Sequence, residues 1–136
     1  MLVCSRAVYD GIVEHARAGA PAEVCGILGG TVDDEECRVT TQFRTENVAD
    51  ETQTEYAIDP AEQLAVFETI EQRGRNIAGF YHSHPQGPPE PSQTDRATAT
   101  WDGYRYVIVA LDGTEPFVGA WRWTGESFEA ERVTIR

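Results

Sequence analysis

The spacing of apolar residues near the start of the chain predicts an amphipathic helix. Val8, Ile12 and Ala16 recur at intervals of four residues, which places their side chains on one helical face. Ser5 precedes this pattern and is a typical N-cap residue, because its side chain can accept a hydrogen bond from the first turn. We therefore predict a helix that runs from Ser5 to Arg17.

A second helix is predicted after Asp59. Asp59 can cap its first turn, and Pro60 suits the first helical position. Glu62 can complete a capping box, and Gly74 is expected to end the helix. Apolar residues recur at every third position of this segment: Ala61, Leu64, Phe67 and Ile70. A short third helix is predicted over residues 92–100.

Short apolar runs and stretches of alternating polarity predict six strands. Their predicted ranges are Val24–Thr31, Arg38–Val48, Asn76–Ser83, Tyr104–Leu111, Phe117–Trp123 and Phe128–Ile135. Polar turns separate them, including one at Asp33–Glu36. Helices that interleave with strands predict an α/β class with layered sheet and helices. The sequence has no internal repeat and no low-complexity linker, so residues 1–136 are expected to form a single domain.

The charge balance excludes two broad classes of partner. The chain has 23 acidic and 11 basic residues, which gives a formal net charge of −12. This field repels nucleic-acid phosphates and anionic lipid surfaces, so neither is expected as a partner. All 11 basic residues are arginine, and a dense acidic surface without lysine suits a protein that stays soluble at high salt. A halophilic source is therefore our hypothesis.

The cysteines and the first residues bear on the location of the protein. Cys4, Cys25 and Cys37 are odd in number and form no Cys-x-x-Cys pair, so we expect buried free thiols in a reducing compartment. No run of 18 apolar residues occurs, and the start MLVCSRAVYD lacks the pattern of a signal peptide. These features predict a soluble, cytoplasmic protein.

Two of the three histidines, His82 and His84, lie at the end of a predicted strand. Residues two apart on a strand point to the same face, with α-carbons about 6.5–7 Å apart, so both imidazoles can reach one ion. Asp95 follows eleven residues after His84, in the first turn of the third predicted helix. Two nitrogens and one carboxylate oxygen, with a fourth position open for water, are typical of a catalytic zinc site.

Each of these residues also has a purely structural interpretation. Ser92-x-x-Asp95 is a capping box by itself, and a His-x-His pair on a strand can serve packing alone. The conjunction of the histidine pair with Ser92 and Asp95 at fixed later offsets favours the metal site. His15, on the first helix, is interpreted as structural. The three tryptophans are assigned to the core or the sheet faces: Trp101, Trp121 and Trp123.

The segment from His82 to Asp95 resembles the zinc motif of the JAMM (MPN+) metallopeptidases. That motif is His-x-His, seven residues, Ser, two residues, Asp, and the chain matches it at every position. The family also has a glutamate just before an apolar, glycine-containing strand, and the segment PAEVCGILGG, which contains Glu23, is similar. The similarity extends over nearly the whole chain. It implies an α/β fold with a mixed, strongly curved sheet flanked by helices.

The resemblance implies a role for each residue of the motif. His82, His84 and Asp95 would bind Zn²⁺, which lowers the pKa of its bound water and polarises the scissile carbonyl. Glu23 would take the proton from that water and pass it to the leaving amine. Ser92 would donate a hydrogen bond to the oxyanion. Without the resemblance, Glu23 could equally mark the edge of a strand, and Ser92 can cap its helix as well.

The resemblance also implies a substrate. A small, acidic, lysine-free domain is similar to the archaeal desampylase-type members of the family from halophiles, which remove ubiquitin-like modifiers from target lysines. Two alternatives stay open. One is a peptidase that releases an amino acid such as cysteine from a sulfur-carrier protein, and the other is a non-catalytic module that binds a ubiquitin-like tail. The proline-rich loop Gln86–Pro91 is predicted to form one wall of the substrate channel, and the oligomeric state stays open.

Overall fold

The chain forms eight strands and three helices in the computed structural model, which describes residues 1–33 and 35–136. In chain order these are β1 (Leu2–Cys4), α1 (Arg6–Gly19), β2 (Cys25–Val32), β3 (Cys37–Thr45), α2 (Pro60–Gln72), β4 (Asn76–His84), α3 (Gln93–Thr98), β5 (Arg105–Ala110), β6 (Phe117–Trp123), β7 (Phe128–Glu131) and β8 (Val133–Ile135). Helices interleave with strands, as the α/β prediction requires.

All the strands belong to one mixed sheet, in the order β7-β6-β5-β4-β2-β3-β1-β8. β4 pairs with β5 in parallel, as β1 does with β3 and β8, and the other pairs are antiparallel. β7 and β8 are at opposite ends of this order, yet Arg132 alone separates them in the chain. The sheet must therefore curl until its two ends nearly meet. The predicted mixed, curved sheet flanked by helices is confirmed.

A buried ion pair lies where the two ends of the sheet approach each other. Nε of Arg105, a buried residue of β5, donates to Oε1 of Glu131 at 2.9 Å. The N-terminal ammonium of Met1 lies 3.3 Å from Oε2 of the same carboxylate. Burial alone would raise the pKa of Glu131, but these two cations outweigh it and lower the pKa. The N–H of Leu2 also donates to the carbonyl oxygen of Arg132 at 2.8 Å, so these contacts join β5 and β7 to the start of β1.

The two long helices cover opposite faces of the sheet. α1 buries its apolar stripe on one face, and Ile70 of α2 is buried on the other. Alternate residues of β4 point to opposite faces, so Tyr81 packs on the α1 side and Phe80 on the α2 side. His82 and His84 share the parity of Phe80. Both imidazoles therefore lie on the α2 face. The buried residues of the α1 stripe are Val8, Ile12, Val13 and Ala16.

The helix predictions are confirmed in position, but the apolar residues that recur at every third position of α2 do not lie on one buried face. Ile70 is 1% exposed, whereas Leu64 is 59% exposed. Residues three apart on a helix are rotated by about 300° around its axis, so a row with that spacing winds away from the core. α3 is shorter than predicted and covers Gln93–Thr98.

The caps of the first two helices are only partly as predicted. Oγ of Ser5 accepts a hydrogen bond from the N–H of Val8 at 3.2 Å, which confirms the first cap. Asp59 accepts hydrogen bonds from the first turn of α2, as predicted. Glu62 has another role than the predicted capping box, because its Oε1 accepts a hydrogen bond from the N–H of Glu46 at 3.1 Å. Glu62 thus joins the start of α2 to the end of β3.

The predicted strands are present with bounds shifted by a few residues, but two features are missed. β1 was not predicted, because three consecutive apolar residues show no alternation. The predicted strand Phe128–Ile135 is two strands, β7 and β8, separated at Arg132. The predicted turn at Asp33–Glu36 includes Asp34, which lies outside the described residues. Oδ1 of Asp33 accepts hydrogen bonds from the N–H groups of Glu35 and Glu36.

The three tryptophans differ in burial. Trp123 is buried and Trp121 is half-buried, whereas Trp101 is 39% exposed and so does not belong to the core. Trp101 stacks on Tyr104 with ring centroids 5.4 Å apart. The three thiols are buried and free, as predicted. Among the described residues, no helix has the length and apolar character needed to cross a membrane.

Candidate metal centre

β4 brings two imidazoles together at its C-terminal end. His82 and His84 are both buried, and their Nε2 atoms lie 3.2 Å apart. The rings meet edge to face, with centroids 4.9 Å apart. His82 pairs with Cys25 of β2 on one side and with Ile108 of β5 on the other. Because the backbone is held from both sides, the sheet fixes the position of the two imidazoles relative to each other.

α3 supplies a carboxylate to the same point. Oδ2 of Asp95 lies 3.1 Å from Nε2 of His82 and 3.2 Å from Nε2 of His84. A capping box holds this carboxylate: the N–H of Ser92 donates to Oδ2 at 2.8 Å, and Oγ of Ser92 accepts from the N–H of Asp95 at 3.0 Å. The capping box and the convergence on the histidines are thus one arrangement, not two competing interpretations.

The second nitrogen of each imidazole has a different environment. Nδ1 of His84 donates a hydrogen bond to the carbonyl oxygen of Pro88 at 2.8 Å, which leaves the lone pair of Nε2 directed at the cluster in the neutral ring. Nδ1 of His82 is buried and has no hydrogen-bond partner among the residues that the structure describes. The ring of Tyr56 stacks on His82, with centroids 4.4 Å apart and an interplanar angle of 24°.

The cluster combines an ionised carboxylate with a neutral imidazole. Burial alone would raise the pKa of Asp95, but the adjacent imidazoles of His82 and His84 and the N–H of Ser92 outweigh it and hold this pKa well below its usual range. Burial lowers the pKa of His82 more than the neighbouring carboxylate raises it. Metal ligands must be deprotonated, so both groups are in the form that a divalent cation requires.

The pairing of β2 with β4 places Glu23 beside this cluster. The antiparallel register, continued two residues beyond the end of β2, sets Glu23 opposite His84. Ser83 extends the pairing, because its Oγ accepts from the N–H of Val24 at 2.9 Å and its own N–H donates to the carbonyl oxygen of Val24. Glu23 is buried, and burial raises the pKa of its carboxyl to about 7 although His84 opposes the shift.

Four side chains of this cluster could contribute to a metal site. The ligand atoms of Glu23, His82 and His84 all lie within 4.8 Å of one another. Asp95 is the better third ligand, because its Oδ2 is already in contact with both Nε2 atoms. Imidazole nitrogens and carboxylate oxygens suit divalent first-row metals, so the donor set fits such an ion. Glu23 is then left as a free carboxylate at the edge of the cluster.

A cleft of about 220 Å³ opens onto one side of the cluster. Its lining residues are Glu23, Gln53, Thr54, His84, Pro85, Gln86, Gly87, Pro88 and Ser92. The proline-rich loop thus forms one wall, and the segment between β3 and α2 contributes to another. A second cavity, of about 160 Å³, is lined in part by Phe80, Tyr106 and Tyr56. The ring that stacks on His82 is therefore also a wall of this second cavity.

The structure brings all five residues singled out in the sequence to one place: Glu23, His82, His84, Ser92 and Asp95. Their roles stay predictions. No pattern in the sequence predicts the stacking of Tyr56 on His82 or the contact of the Pro88 carbonyl with His84, and Ser83 is distinguished only by its place between the two histidines. His15 lies on the opposite face of the sheet, where its Nδ1 is 2.8 Å from the hydroxyl of Tyr81.

The sequence is similar to several named peptidases. The desampylase of Haloferax volcanii is 44% identical over 130 residues, which cover 93% of this chain and 90% of that protein. The probable TtuB-protein conjugate cleaving protease of Thermus thermophilus is 33% identical, with 82% of this chain and 74% of that protein covered. The CysO-cysteine peptidase of Mycobacterium tuberculosis is 33% identical, with 81% of this chain and 73% of that protein covered.

Two solved structures and one protein family also match this chain. A solution structure from Desulfitobacterium hafniense matches with a TM-score of 0.90 at 26% identity and covers 100% of this chain and 93% of its own. A solution structure from Salinibacter ruber matches with a TM-score of 0.72 at 33% identity. The match covers 98% of this chain and 90% of the Salinibacter chain. Residues 5–124 match the family described as prokaryotic homologs of the JAB domain. The family resemblance predicted from the sequence is confirmed, and the chain belongs to these prokaryotic homologs of the JAB domain.

Proposed function

We propose that this protein is a zinc metallopeptidase that removes ubiquitin-like modifiers from target lysines by hydrolysis at the C-terminal glycine of the modifier. One observation carries the proposal: two Nε2 atoms and one carboxylate oxygen converge at 3.1–3.2 Å beside the buried Glu23. Three ligands with an adjacent carboxylate support hydrolysis by a metal-activated water. A cytoplasmic location is part of the proposal and is supported by three free thiols.

The spacing of the donor atoms supports zinc as the metal. In a tetrahedral centre with bonds of about 2.0–2.1 Å, neighbouring ligand atoms are about 3.3–3.4 Å apart. The Nε2 atoms of His82 and His84 and Oδ2 of Asp95 are 3.1–3.2 Å from one another, which is close to that value. Three protein ligands leave the fourth position open, which favours a catalytic over a structural zinc.

The residues of the cluster divide the chemistry among them. His82, His84 and Asp95 would hold the zinc, which would supply a Lewis acid to lower the pKa of water and polarise the scissile carbonyl. Glu23 accepts a proton as the water oxygen adds to the carbonyl carbon, and returns it to the lysine nitrogen as the C–N bond breaks. Burial raises the pKa of the Glu23 carboxyl, which supports its role in both transfers. The products are the C-terminal carboxylate of the modifier and the free lysine amine.

Ser92 can cap α3 and also donate a hydrogen bond to the substrate, because these two interactions use different atoms of its hydroxyl group. Its Oγ accepts a hydrogen bond from the N–H of Asp95, which uses a lone pair and leaves the hydroxyl proton free. Ser92 also lines the cleft that contains Glu23 and His84. The hydroxyl is therefore able to donate to the oxygen that becomes negative when water adds to the carbonyl carbon.

The relatives support two candidate substrates that share one cleft. Similarity to the desampylase at 44% identity over most of both chains supports removal of a modifier from lysine. Similarity to the CysO-cysteine peptidase at 33% identity supports a second candidate, the release of a C-terminal amino acid from a sulfur-carrier protein. Both reactions cleave the amide bond that joins the C-terminal tail of the modifier or the carrier protein to the leaving amine. They differ in the leaving amine.

The test is a cleavage assay at molar KCl with two substrates: a ubiquitin-like modifier joined to a target lysine, and a sulfur-carrier protein extended by one cysteine. We expect the zinc-loaded protein to cleave the first substrate, a chelator to abolish cleavage, and added zinc to restore it. Glu23→Gln should lower kcat by about 10²–10⁴-fold, because the proton acceptor is lost. The matched control is Glu126→Gln, which changes an exposed glutamate in the β6–β7 turn and should leave kcat unchanged.

Three outcomes separate the candidates. Cleavage of the modifier conjugate that depends on zinc and on Glu23 supports the proposed isopeptidase. Cleavage of the cysteine-extended carrier alone supports the second candidate. A zinc-loaded protein that cleaves neither substrate contradicts both.

A further inference from the structure

The side-chain amide of Asn47, in the segment between β3 and α2, makes four hydrogen bonds to backbone groups. Nδ2 donates to the carbonyl oxygens of Glu23 at 2.9 Å and Glu55 at 3.0 Å. Oδ1 accepts from the N–H groups of Ala49 and Ala57, both at 3.1 Å. Both N–H donors and both carbonyl lone pairs are used, so the amide cannot rotate without losing bonds.

Two of these hydrogen bonds bracket Tyr56. The carbonyl oxygen of Glu55, the residue before Tyr56, accepts from Nδ2 of Asn47. The N–H of Ala57, the residue after Tyr56, donates to Oδ1 of Asn47. The N–H of Val48 adds a bond to the carbonyl oxygen of Ala57 at 2.9 Å. The backbone of Tyr56 is therefore fixed from both sides. Its ring stacks on His82 with centroids 4.4 Å apart, so Asn47 sets the position of the ring that covers His82.

His82 depends on that ring more than His84 does. A metal-binding histidine is usually oriented by a hydrogen bond from its second nitrogen, as Nδ1 of His84 is by the carbonyl of Pro88. Nδ1 of His82 lacks such a bond in the part of the chain that the structure describes. Stacking against Tyr56 is the contact that can orient the His82 ring in its place.

The same amide also reaches the other side of the cluster. Nδ2 of Asn47 donates to the carbonyl oxygen of Glu23. The N–H of Glu23 donates to the carbonyl oxygen of Thr52 at 2.7 Å. Asn47 and Thr52 belong to one segment, so that segment holds both backbone polar groups of Glu23. Glu23 lies just outside β2, beyond the last residue that the sheet pairs on both sides.

We infer that Asn47 is a positioning residue that holds the general base Glu23 and the metal ligand His82 in a fixed relation. It acts on Glu23 through the backbone and on His82 through the ring of Tyr56. The inference rests on the proposed function, from which the roles of Glu23 and His82 are taken. Loss of the amide therefore weakens zinc binding and slows proton transfer together, although Asn47 itself contacts neither the metal nor the substrate.

The experiment compares the two asparagines of the chain. Asn47→Ala and Asn47→Asp are the test variants; the aspartate keeps an acceptor for Ala49 and Ala57 but loses both donors. Asn76→Ala and Asn76→Asp are the matched controls, because Oδ1 of Asn76 accepts a backbone hydrogen bond from Val32 at the opposite end of β4. Zinc affinity is measured on the full chain by competition with a chromogenic chelator, and kcat, KM and the melting temperature are measured alongside.

We expect Asn47→Ala to weaken zinc binding and to lower kcat, each by about 10–100-fold, as is usual for residues that orient a metal ligand. Asn47→Asp should lower kcat, because the carbonyl of Glu23 loses its donor. The Asn76 variants should keep the zinc affinity and kcat of the wild type even where they lower the melting temperature. A merely structural role for Asn47 would lower the melting temperature alone, and that result would overturn the inference.

Tyr56 provides an independent test that does not alter the segment's hydrogen bonds. Tyr56→Phe keeps the ring and should keep the zinc affinity, whereas Tyr56→Leu should lower it about as much as Asn47→Ala. Wild-type zinc affinity in Tyr56→Leu would overturn the inference. If the wild type binds zinc but cleaves neither substrate, the proposed function fails, and the zinc affinities of these variants still decide whether Asn47 positions His82.

Discussion

The carbonyl oxygen of Pro88 lies 2.8 Å from Nδ1 of His84. A carbonyl oxygen can only accept, so the proton of the neutral His84 ring is on Nδ1 and the lone pair of Nε2 faces the cluster. Pro88 also lines the cleft beside Glu23. The proline-rich loop therefore contacts both the substrate cleft and a proposed metal ligand.

The first prediction concerns this loop. Pro88→Gly keeps the carbonyl but removes the ring that restricts the backbone, so the oxygen is no longer held beside His84. We expect zinc affinity to fall by about tenfold and KM to rise more than kcat falls, because the loop forms a cleft wall. Zinc competition and steady-state kinetics measure both effects. Pro116→Gly, in the loop before β6, is the matched control, and equal zinc affinity in the two variants would contradict the prediction.

The second prediction separates the two proposed roles of Ser92. Ser92→Gly removes the hydroxyl but costs the helix only a few tenths of a kcal/mol, because glycine is an acceptable N-cap residue. We expect kcat to fall by about 10²–10³-fold with little change in the urea midpoint of unfolding. Ser5→Gly, at the cap of α1, is the control for the stability effect. A kcat near that of the wild type would show that Ser92 only caps α3.

The third prediction concerns pH and His15. Partial burial and the neighbouring Arg44 lower the pKa of His15 to about 4. The unfolded state then binds a proton more readily than the folded state, so this residue's stabilisation is complete above about pH 6.5 and declines as the pH falls towards 4. The difference in the free energy of unfolding between the wild type and His15→Gln, measured in urea, should shrink by on the order of 1 kcal/mol between pH 7.5 and pH 5. This effect is smaller than for a fully buried group, because solvent partly screens the half-buried ring. A difference in the free energy of unfolding that does not change with pH would contradict the prediction for His15.

The fourth prediction concerns salt. With a net charge of −12, the folded chain repels itself at low ionic strength. The screening length falls from about 10 Å at 0.1 M salt to about 3 Å at 1 M, which removes most of that repulsion. Exposed pairs such as Arg122–Glu129 lose little, because surface ion pairs contribute about 0–1 kcal/mol. The melting temperature should therefore rise from low to molar KCl. A flat or falling curve would reject the halophilic hypothesis.

Much of the candidate site was predictable because its geometry follows from local periodicity. A spacing of two residues on a strand places His82 and His84 on one face whatever the surrounding fold. A capping box fixes Asp95 relative to Ser92 within one helical turn. The placement of Glu23 next to His84 was carried by the family resemblance, because it depends on how β2 pairs with β4, and strand register is not local.

The contacts that the sequence did not predict are made between distant segments by residues without a distinctive pattern. Tyr56 reaches His82 across 26 positions of the chain, and Asn47 reaches Glu23 across 24. β1 was missed for a related reason, since three apolar residues become a strand only because β3 and β8 lie on either side of them. Leu64 shows the opposite failure, in which an apolar residue on an amphipathic helix lies on the exposed side.

The order of the strands also governs how the chain can fold while it is being made. β8 pairs with β1, so Val133–Ile135 complete the sheet beside Leu2–Cys4, about 130 positions earlier in the chain. Until residue 135 has left the ribosome, β1 has an unpaired edge, and pairing across such a distance is slow. During this interval the nascent chain has an open sheet edge with which strands of other chains can pair, and such an edge promotes aggregation.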